Sequence, residues 1–291
     1  MSLSILFSTL LYVVCISELA LGFSMTPGMR LRRLNRVSLD MGVGDISKVS
    51  FKVSNLQKSL DFYTKAVGME VMSRNDDEGR VALSFGGSVA LELEESSAAA
   101  DDKLRGDGFY GIGVGFPNAQ MVCDAAVDEG GSVVFPFGEY SFGASLIPDE
   151  DELKQYPVSY GRVSDPDGYI VEVVNEFRAE PFMKVMLNVL DLDEAIEFYT
   201  KGIGMNLLRK RSDVNSRPKK ASFVGYVGAG DSEGDKPFIE LIYNYATDKV
   251  NVGSCLNAIS LEGCDKQSVV QAGGVMEESG IRDTTGYTLQ L

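Results

Sequence analysis

The 291 residues include no histidine, so the side chain that most often moves protons in enzymes is missing. Neither a Ser-His-Asp triad nor a Cys-His pair is possible. Four cysteines are present, and Cys15 lies in an apolar N-terminal stretch. The other three, Cys123, Cys255 and Cys264, are an odd set that is typical of packed or free thiols and not of a disulfide framework.

A repeated segment must position the remaining polar side chains. Residues 55–69 have the sequence Asn-Leu-Gln-Lys-Ser-Leu-Asp-Phe-Tyr-Thr-Lys-Ala-Val-Gly-Met, and residues 191–205 repeat it closely. In both copies the apolar residues recur with a helical period. Asn55 and Asp191 suit the N-cap position, and the glycine near the end of each copy suits the left-handed turn that ends a helix.

Composition limits the possible partners of the folded protein. The formal net charge is −15, and 44% of the residues are hydrophobic. An acidic surface disfavours nucleic acid and anionic membranes, so we expect a small-molecule substrate or ligand, no nucleic acid and no membrane attachment of the mature form. The length and the repeat predict two fused domains, residues 46–178 and 182–291.

The first 41 residues differ from the rest and predict a targeting sequence. Residues 1–22 contain an apolar run that is too short to span a bilayer and suits a signal peptide. Residues 23–41 are rich in arginine and contain a single acidic residue, as in a transit peptide. In series they resemble the bipartite presequence of algae whose plastids lie inside extra membranes, which implies the plastid stroma. Secretion and an uncleaved membrane anchor are the alternatives.

From residue 46 onward, short strands alternate with single helices. Period-two alternation marks the strands, and turns rich in glycine or proline separate them. The pattern predicts an α+β fold of four βαβββ modules, two in each fused domain. The last module is abbreviated, because the pattern of residues 255–291 lacks one strand.

Three motifs carry a resemblance to a known superfamily. They are Phe62-Tyr-Thr-Lys-Ala-Val-Gly-Met69, Asp165-Pro-Asp-Gly-Tyr169 and Ile239-Glu-Leu-Ile-Tyr-Asn244. With the four modules, they resemble the vicinal-oxygen-chelate (VOC) superfamily, and within it the two-domain glyoxalase I (lactoylglutathione lyase) of plants and algae. The resemblance covers residues 46–291.

This resemblance implies a fold and a reaction. In that family each pair of modules curls into an open, half-barrel sheet with a divalent metal, zinc or nickel, in its cleft. The metal polarises the oxygens of the hemithioacetal of glutathione and methylglyoxal, and a ligand Glu moves a proton between adjacent carbons. Glutathione is the implied co-substrate, and each site takes ligands from both domains.

Matching the ligand positions residue by residue implies two clefts. The first would hold Lys48, Glu92, Asn257 and Gln290, and the second would hold Lys184, Glu240, Gly111 and Glu172. A protonated lysine has no lone pair, and glycine has no side chain to offer. Both sets are therefore poor ligands for zinc or nickel, and we expect the metal to be absent.

In the second cleft, Glu172 and Glu240 match the positions of the catalytic base and a ligand, with Lys184 between them. Three hypotheses remain open for these side chains. In the first, the two glutamates form a buried, purely structural ion cluster with Lys184. In the second, they bind a metal ion, and we favour the ion cluster over this metal ligation. In the third, Lys184 replaces the metal as a cation that stabilises an enediolate while Glu172 moves the proton.

Three further positions match residues of the family that bind glutathione. Asn244 matches a position that holds the glutathione peptide, and Asn188 and Lys52 match a place usually taken by an arginine that binds its carboxylate. Lys52 can bind a carboxylate as a point charge, whereas Asn188 cannot form a charge-assisted fork. We therefore expect weak glutathione binding in the second cleft.

These observations predict a plastid glyoxalase I relative, linked to methylglyoxal and glutathione metabolism, whose metal-dependent activity is lost or weak. One alternative is a non-catalytic module that binds a small acidic metabolite or a thiol conjugate. Another is a pseudoenzyme that forms a homodimer or pairs with an active paralogue, because sites in this family form across domain or subunit boundaries.

Overall fold

The computed structural model describes most of the chain from residue 44 onward. The predicted signal peptide and transit segment, residues 1–22 and 23–41, lie outside the described residues. None of the described helices is long and apolar enough to cross a membrane. The described ranges are 44–145, 154–213, 219–226, 236–245 and 247–291.

The first half of the chain forms two modules, each with four strands and one main helix. Module one consists of β1 (Asp45–Val53), α1 (Leu56–Asp61), β2 (Glu70–Asn75), β3 (Arg80–Ser84) and β4 (Ala90–Glu95). A 3-10 turn at Ser97–Ala100 and the short helix α2 (Asp102–Arg105) lead to module two. Module two consists of β5 (Phe109–Phe116), α3 (Ala119–Asp128), β6 (Ser132–Ser145), β7 (Lys154–Ser164) and β8 (Ile170–Asn175).

The second half of the chain repeats this arrangement. Module three consists of β9 (Phe182–Asn188), α4 (Leu192–Glu197), β10 (Asn206–Asp213), β11 (Lys219–Gly225) and β12 (Phe238–Asn244). Module four consists of β13 (Leu256–Glu262), α5 (Lys266–Gln271), β14 (Val275–Glu277), β15 (Gly280–Arg282) and β16 (Thr288–Gln290). The predicted α+β fold of four βαβββ modules is confirmed. The prediction that module four lacks a strand is wrong, because β15 is present.

The repeated helices begin and end where the sequence indicates. Asn55 Oδ1 accepts the backbone N–H of Lys58 at 2.9 Å, and Asp191 Oδ1 accepts that of Glu194 at 2.9 Å. Gly68 has a φ of 85°, and the matching glycine of the second copy has a φ of 86°. Both glycines therefore adopt the left-handed conformation that ends a helix.

A π-helical turn of five residues follows each of α1 and α4. Each turn contains a buried tyrosine that donates a hydrogen bond to an aspartate of the next module. Tyr63 Oη donates to Asp165 Oδ2 at 3.1 Å, and Tyr199 Oη donates to Asp283 Oδ2 at 2.9 Å. One buried hydrogen bond of this kind thus joins modules one and two, and another joins modules three and four.

The described strands form two sheets of eight. The open sheet has the order β14-β15-β16-β13-β1-β4-β3-β2, and the closed barrel has the order β10-β11-β12-β9-β5-β8-β7-β6. Modules one and four meet where β1 pairs antiparallel with β13, and modules two and three meet where β5 pairs antiparallel with β9. Each sheet therefore contains strands from both halves of the sequence. The predicted domain boundaries stay predictions.

Strand length explains why one sheet closes and the other stays open. β10 and β6 are long enough to pair, with Lys210 opposite Ser145 and Ser212 opposite Gly143. In the open sheet the corresponding strands are its two edges: β2, with six residues, and β14, with three. The open half-barrel that the resemblance implied is therefore wrong for modules two and three, which close into a barrel.

The two sheets share one main hydrophobic core. The ring of Phe51 in β1 lies 5.4 Å from the ring of Phe109 in β5 and 4.7 Å from that of Tyr169, measured between centroids. A second, smaller cluster contains Phe223 and Phe238 of the barrel. Burial of these aromatic rings stabilises the packing of the two sheets and of the barrel.

Candidate functional site

Lys184 lies between two glutamates at the centre of the closed barrel. Its strand, β9, runs parallel to β12 and antiparallel to β5, and β5 runs parallel to β8. Lys184 Nζ is 2.5 Å from Glu172 Oε1 and 2.5 Å from Glu240 Oε2. The exposed fractions of the Lys184, Glu172 and Glu240 side chains are 2%, 3% and 1%. The structure therefore brings together three of the four residues predicted for the second cleft.

Two arginines extend this cluster into a row of alternating charges. Arg162 of β7 lies opposite Glu172 and donates to Glu172 Oε2 from Nε at 2.8 Å and from Nη2 at 2.7 Å. Arg211 of β10 donates from Nη2 to Glu240 Oε1 at 2.8 Å. Each carboxylate thus binds the ammonium through one oxygen and a guanidinium through the other. We call Arg162, Glu172, Lys184, Glu240 and Arg211 the barrel ion chain.

Both carboxylates of the barrel ion chain are ionised at neutral pH. Burial raises their pKa values, but the nearby cations outweigh it. Lys184 and Arg162 hold the pKa of Glu172 well below its usual range, and Lys184 and Arg211 lower the pKa of Glu240 to about 2. A carboxylate with so low a pKa is a weak general base. The geometry and the charges therefore suit a structural ion cluster better than proton transfer.

A glycine opposite Lys184 makes room for its long side chain. Gly113 of β5 is in register with both Lys184 and Glu172. A Cβ atom added to Gly113 would lie 2.6 Å from Cγ and from Cε of Lys184. At Gly111 an added Cβ would instead lie 1.9 Å from the backbone oxygen of Ile170. The residue that faces the barrel centre is therefore Gly113, and the match of this position to Gly111 is wrong.

The side chains at the barrel centre do not fit a metal ion. A protonated Lys184 offers no lone pair, and Gly113 offers no side chain. Both remaining carboxylates, Glu172 and Glu240, are already paired with cations on each of their oxygens. Within the part of the chain that the structure describes, no three His, Cys, Asp or Glu side chains are grouped so as to hold a metal ion. This donor set is unlike the closed nitrogen, sulfur and oxygen sets that bind zinc.

The residues predicted for the first cleft lie on the open sheet and are more exposed. Lys48 Nζ is 3.5 Å from Glu92 Oε1, and their side chains are 33% and 26% exposed. Ser50 Oγ donates to Glu92 Oε1 at 2.9 Å, and Asn257 Nδ2 contacts Ser50 Oγ at 3.4 Å. Ser50 therefore joins Glu92 to Asn257, and Lys48 joins this group through Glu92. The fourth predicted residue, Gln290, accepts a hydrogen bond from a neighbouring serine hydroxyl at 3.1 Å.

The residues predicted to bind glutathione contact groups of the protein itself. Asn188 is buried, and its Nδ2 donates to the backbone oxygen of Asp107 at 2.5 Å. Asn244 Nδ2 donates to Asn188 Oδ1 at 3.0 Å. Lys52 belongs to the open sheet, where its Nζ donates to the backbone oxygen of Ser254 at 3.0 Å. The structure thus brings Asn188 and Asn244 together on the barrel, whereas Lys52 lies on the other sheet.

Several polar partners were missed by the sequence reasoning. Arg162 and Glu172 each lie three residues from the Asp165-Pro-Asp-Gly-Tyr169 segment that joins their strands, so counting residues outward from that segment could have paired them. Arg211 gives no such local indication, because it meets Glu240 only once β10, β11 and β12 are assembled. On the open sheet, Glu94 accepts a hydrogen bond from Asn257 at 3.2 Å and forms an ion pair with Arg80 of β3 at 3.0 Å.

Comparison with known proteins agrees with this architecture. The family model described as the Glyoxalase/Bleomycin resistance protein/Dioxygenase superfamily matches residues 45–173. A lactoylglutathione lyase of Neisseria meningitidis serogroup B is 33% identical over 132 residues, which cover 43% of this chain and 86% of that protein. The chain belongs to this superfamily.

Two further likenesses place this glyoxalase-superfamily protein beside glyoxalase I of plants. A probable lactoylglutathione lyase of Arabidopsis thaliana, described as chloroplastic, is 28% identical over 232 residues, which cover 77% of this chain and 61% of that protein. The crystal structure of glyoxalase I from Zea mays aligns with a TM-score of 0.68 at 23% identity, over 84% of this chain and 91% of that chain. The second likeness shows the fold, which is that of two-domain glyoxalase I.

Proposed function

We propose that this protein is a glyoxalase I relative whose metal-dependent lactoylglutathione lyase activity is lost or weak. The observation that carries the proposal is the Lys184 ammonium, 2.5 Å from each of two carboxylates at the barrel centre. A second cation beside this ammonium would be repelled by it, and the carboxylates have no free oxygen to offer. The relatives named lactoylglutathione lyases support the choice of reaction class.

Burial of the barrel ion chain also argues against a substrate there. A hemithioacetal would have to displace ion pairs to reach Glu172 or Glu240, whose side chains are 3% and 1% exposed. Lys184 as a catalytic replacement for the metal is less well supported, because its ammonium already donates to both carboxylates. Electrostatic stabilisation of a transition state needs donors that point at the substrate.

We expect the purified protein to hold no stoichiometric zinc or nickel and to form no lactoylglutathione above the uncatalysed rate. Metal analysis and a glyoxalase assay with zinc, nickel or chelator added would test this, with a bacterial lactoylglutathione lyase as the positive control. Stoichiometric metal with activity that the chelator abolishes would contradict the proposal. Chelator-resistant turnover that is lost in Glu172→Gln would instead support Lys184 as the catalytic cation.

A second candidate function is binding of a small acidic metabolite or thiol conjugate by the open sheet. Lys48 favours it, because this lysine is 33% exposed and only loosely paired with Glu92 at 3.5 Å. Lys52 follows Lys48 by four residues in the same strand. Because side chains alternate between the two faces of a strand, both lysine side chains belong to one face of β1. Two lysines on one face suit a carboxylate ligand.

If the open sheet binds such ligands, S-lactoylglutathione should bind without being consumed. We expect the double variant Lys48→Ala/Lys52→Ala to weaken binding about a hundredfold or more in calorimetric titration, because each of the two lost charge-assisted contacts contributes roughly 1.5–3 kcal/mol. Lys58→Ala, an exposed lysine of α1, is the matched control. Equal affinities for the double variant and the wild type would rule out this face.

We also propose that the protein acts in the plastid stroma. The apolar and arginine-rich segments of residues 1–41 support this compartment, and so does the relative described as chloroplastic. In an alga with complex plastids, residues 1–41 fused to a fluorescent protein should reach the stroma, whereas residues 1–22 alone should deliver it only to the secretory route. Secretion of both fusions would contradict this localisation.

A further inference from the structure

At the barrel centre, the side chain of Lys184 fills the space that a side chain at Gly113 would need. Lys184 and Gly113 are opposite each other in the antiparallel pairing of β9 and β5. A Cβ atom on residue 113 would lie 2.6 Å from Cγ and Cε of Lys184, which is too close for real Cβ contacts. The stem of Lys184 thus fills the volume in which any side chain at position 113 would stand. The two residues are therefore coupled by packing.

The carboxylates are held in an arrangement that surrounds a cation. Arg162 binds the outer oxygen of Glu172, and Arg211 binds the outer oxygen of Glu240. The inner oxygens of both carboxylates consequently converge on one point, which the Lys184 ammonium occupies at 2.5 Å from each. All five side chains belong to strands of the closed barrel, so the arrangement is held rigidly on hydrogen-bonded elements.

We infer that the Lys184 ammonium is the cation on which Glu172 and Glu240 converge, and that this ammonium is what keeps divalent cations out of the barrel centre. The inference deepens the proposed function, on which it rests, by naming what closes the site. Replacing Lys184 with a side chain that has a lone pair and no positive charge should let zinc bind between Glu172 and Glu240. Histidine at this position would complete a set of one nitrogen and two oxygen ligands.

The test compares zinc binding by the full-length wild type, Lys184→His and Lys48→His, the last being the same substitution at the matching position of the open sheet. We expect about one zinc ion per chain in Lys184→His and none in the other two proteins. At a zinc concentration about 100 times the Kd, the Tm of Lys184→His should rise by roughly 5–10 °C. Adding Glu240→Gln to Lys184→His should abolish this shift.

Two outcomes would overturn the inference. One is zinc binding by the wild type that Glu240→Gln abolishes, which would show that the ammonium does not close the site. The other is a folded Lys184→His protein that binds no zinc or binds it equally in the Lys48→His control. The wild type could instead bind metal through Glu92 of the open sheet. That result would contradict the proposed function but not the inference, because the barrel centre would still be closed to metal.

A second series of variants tests, without any metal, whether Gly113 and Lys184 are coupled by packing. Gly113→Ala should lower the Tm of the wild type by about 2–10 °C, because the added methyl group meets the Lys184 stem. In a Lys184→Ala background the same change should cost little, because the stem is gone. An equal cost of Gly113→Ala in both backgrounds would show that the two residues are not coupled.

Discussion

Replacing Lys184 with methionine is expected to destabilise the protein by about 3–5 kcal/mol, although the two side chains have similar volumes. The change removes one partner of a buried ion cluster and leaves Glu172 and Glu240 facing each other without the cation between them. Breaking a buried ion pair in this way typically costs 3–5 kcal/mol, because a desolvated charge is left uncompensated. The chain contains no tryptophan, so urea unfolding at pH 7 monitored by far-UV circular dichroism would measure this loss of stability.

The effect of Lys184→Met should also depend on pH. In the folded wild type the pKa of Glu240 is about 2, against an ordinary value of 4.5. Because folding lowers this pKa, the carboxylate contributes stability above pH 4.5 and loses it as the pH falls toward 2. In Lys184→Met the nearest cation is gone, so this contribution shrinks. The difference in unfolding free energy between the two proteins should therefore narrow between pH 7 and pH 3.

The matching lysine of the open sheet provides the control. Lys48 is 33% exposed and lies 3.5 Å from Glu92, so its ion pair is screened by solvent. We expect Lys48→Met to change the free energy of unfolding by less than about 1 kcal/mol. Equal losses for Lys184→Met and Lys48→Met would mean that the barrel ion chain does not stabilise the fold in the way described.

How far the sequence predicts this structure depends on the distance over which each feature is encoded. The caps of α1 and α4 are predictable because Asn55 and Asp191 bond to residues three positions away. The strand β15 escaped prediction because three residues are too few to show alternation, although the hairpin that it forms with β14 is regular. Closure of the barrel depends on the lengths of β6 and β10, which lie in different modules and pair only in the folded state.

The candidate site was predictable only where a motif or a match of positions indicated it. Lys184, Glu172 and Glu240 were named from sequence, and the structure groups them. Gly113 was not, because register shifts on both sides of it in the β5–β9 pairing change which residues face the barrel centre. Arg211 was missed because it lies 29 residues from Glu240 along the chain. Counting residues along one strand cannot reveal either feature.

Asp165, the first residue of the Asp165-Pro-Asp-Gly-Tyr169 motif, is a buried carboxyl group. It is 2% exposed, and its Oδ1 accepts the backbone N–H groups of Asp167 at 3.0 Å and of Tyr169 at 2.9 Å. Its Oδ2 accepts the hydroxyl of Tyr63 at 3.1 Å. Burial raises the pKa of Asp165 from 3.8 to about 7, although these hydrogen bonds oppose the rise. Below about pH 7 the folded protein therefore favours the protonated carboxyl group.

We expect Asp165→Asn to gain stability relative to the wild type as the pH rises from 4 to 8. The amide resembles the protonated carboxyl group, since its oxygen can accept the same two backbone N–H groups and its nitrogen can donate to Tyr63. In the wild type the folded pKa is raised, so the stability due to Asp165 is fully present below pH 3.8 and is lost as the pH rises through 7. At about 1.4 kcal/mol per pH unit, the difference between the two proteins should grow by at most about 4 kcal/mol.

Urea unfolding of both proteins at pH 4, 6 and 8 measures this difference, and two further variants sharpen it. Asp283 is the matching aspartate and accepts a hydrogen bond from Tyr199. Burial also raises the pKa of Asp283, so Asp283→Asn should likewise gain stability relative to the wild type as the pH rises. Asp128→Asn, at an exposed position of α3, should show no such trend. If the difference between Asp165→Asn and the wild type stays constant with pH, Asp165 is ionised in the folded protein across this range. Its three hydrogen bonds would then outweigh the cost of burying the charge.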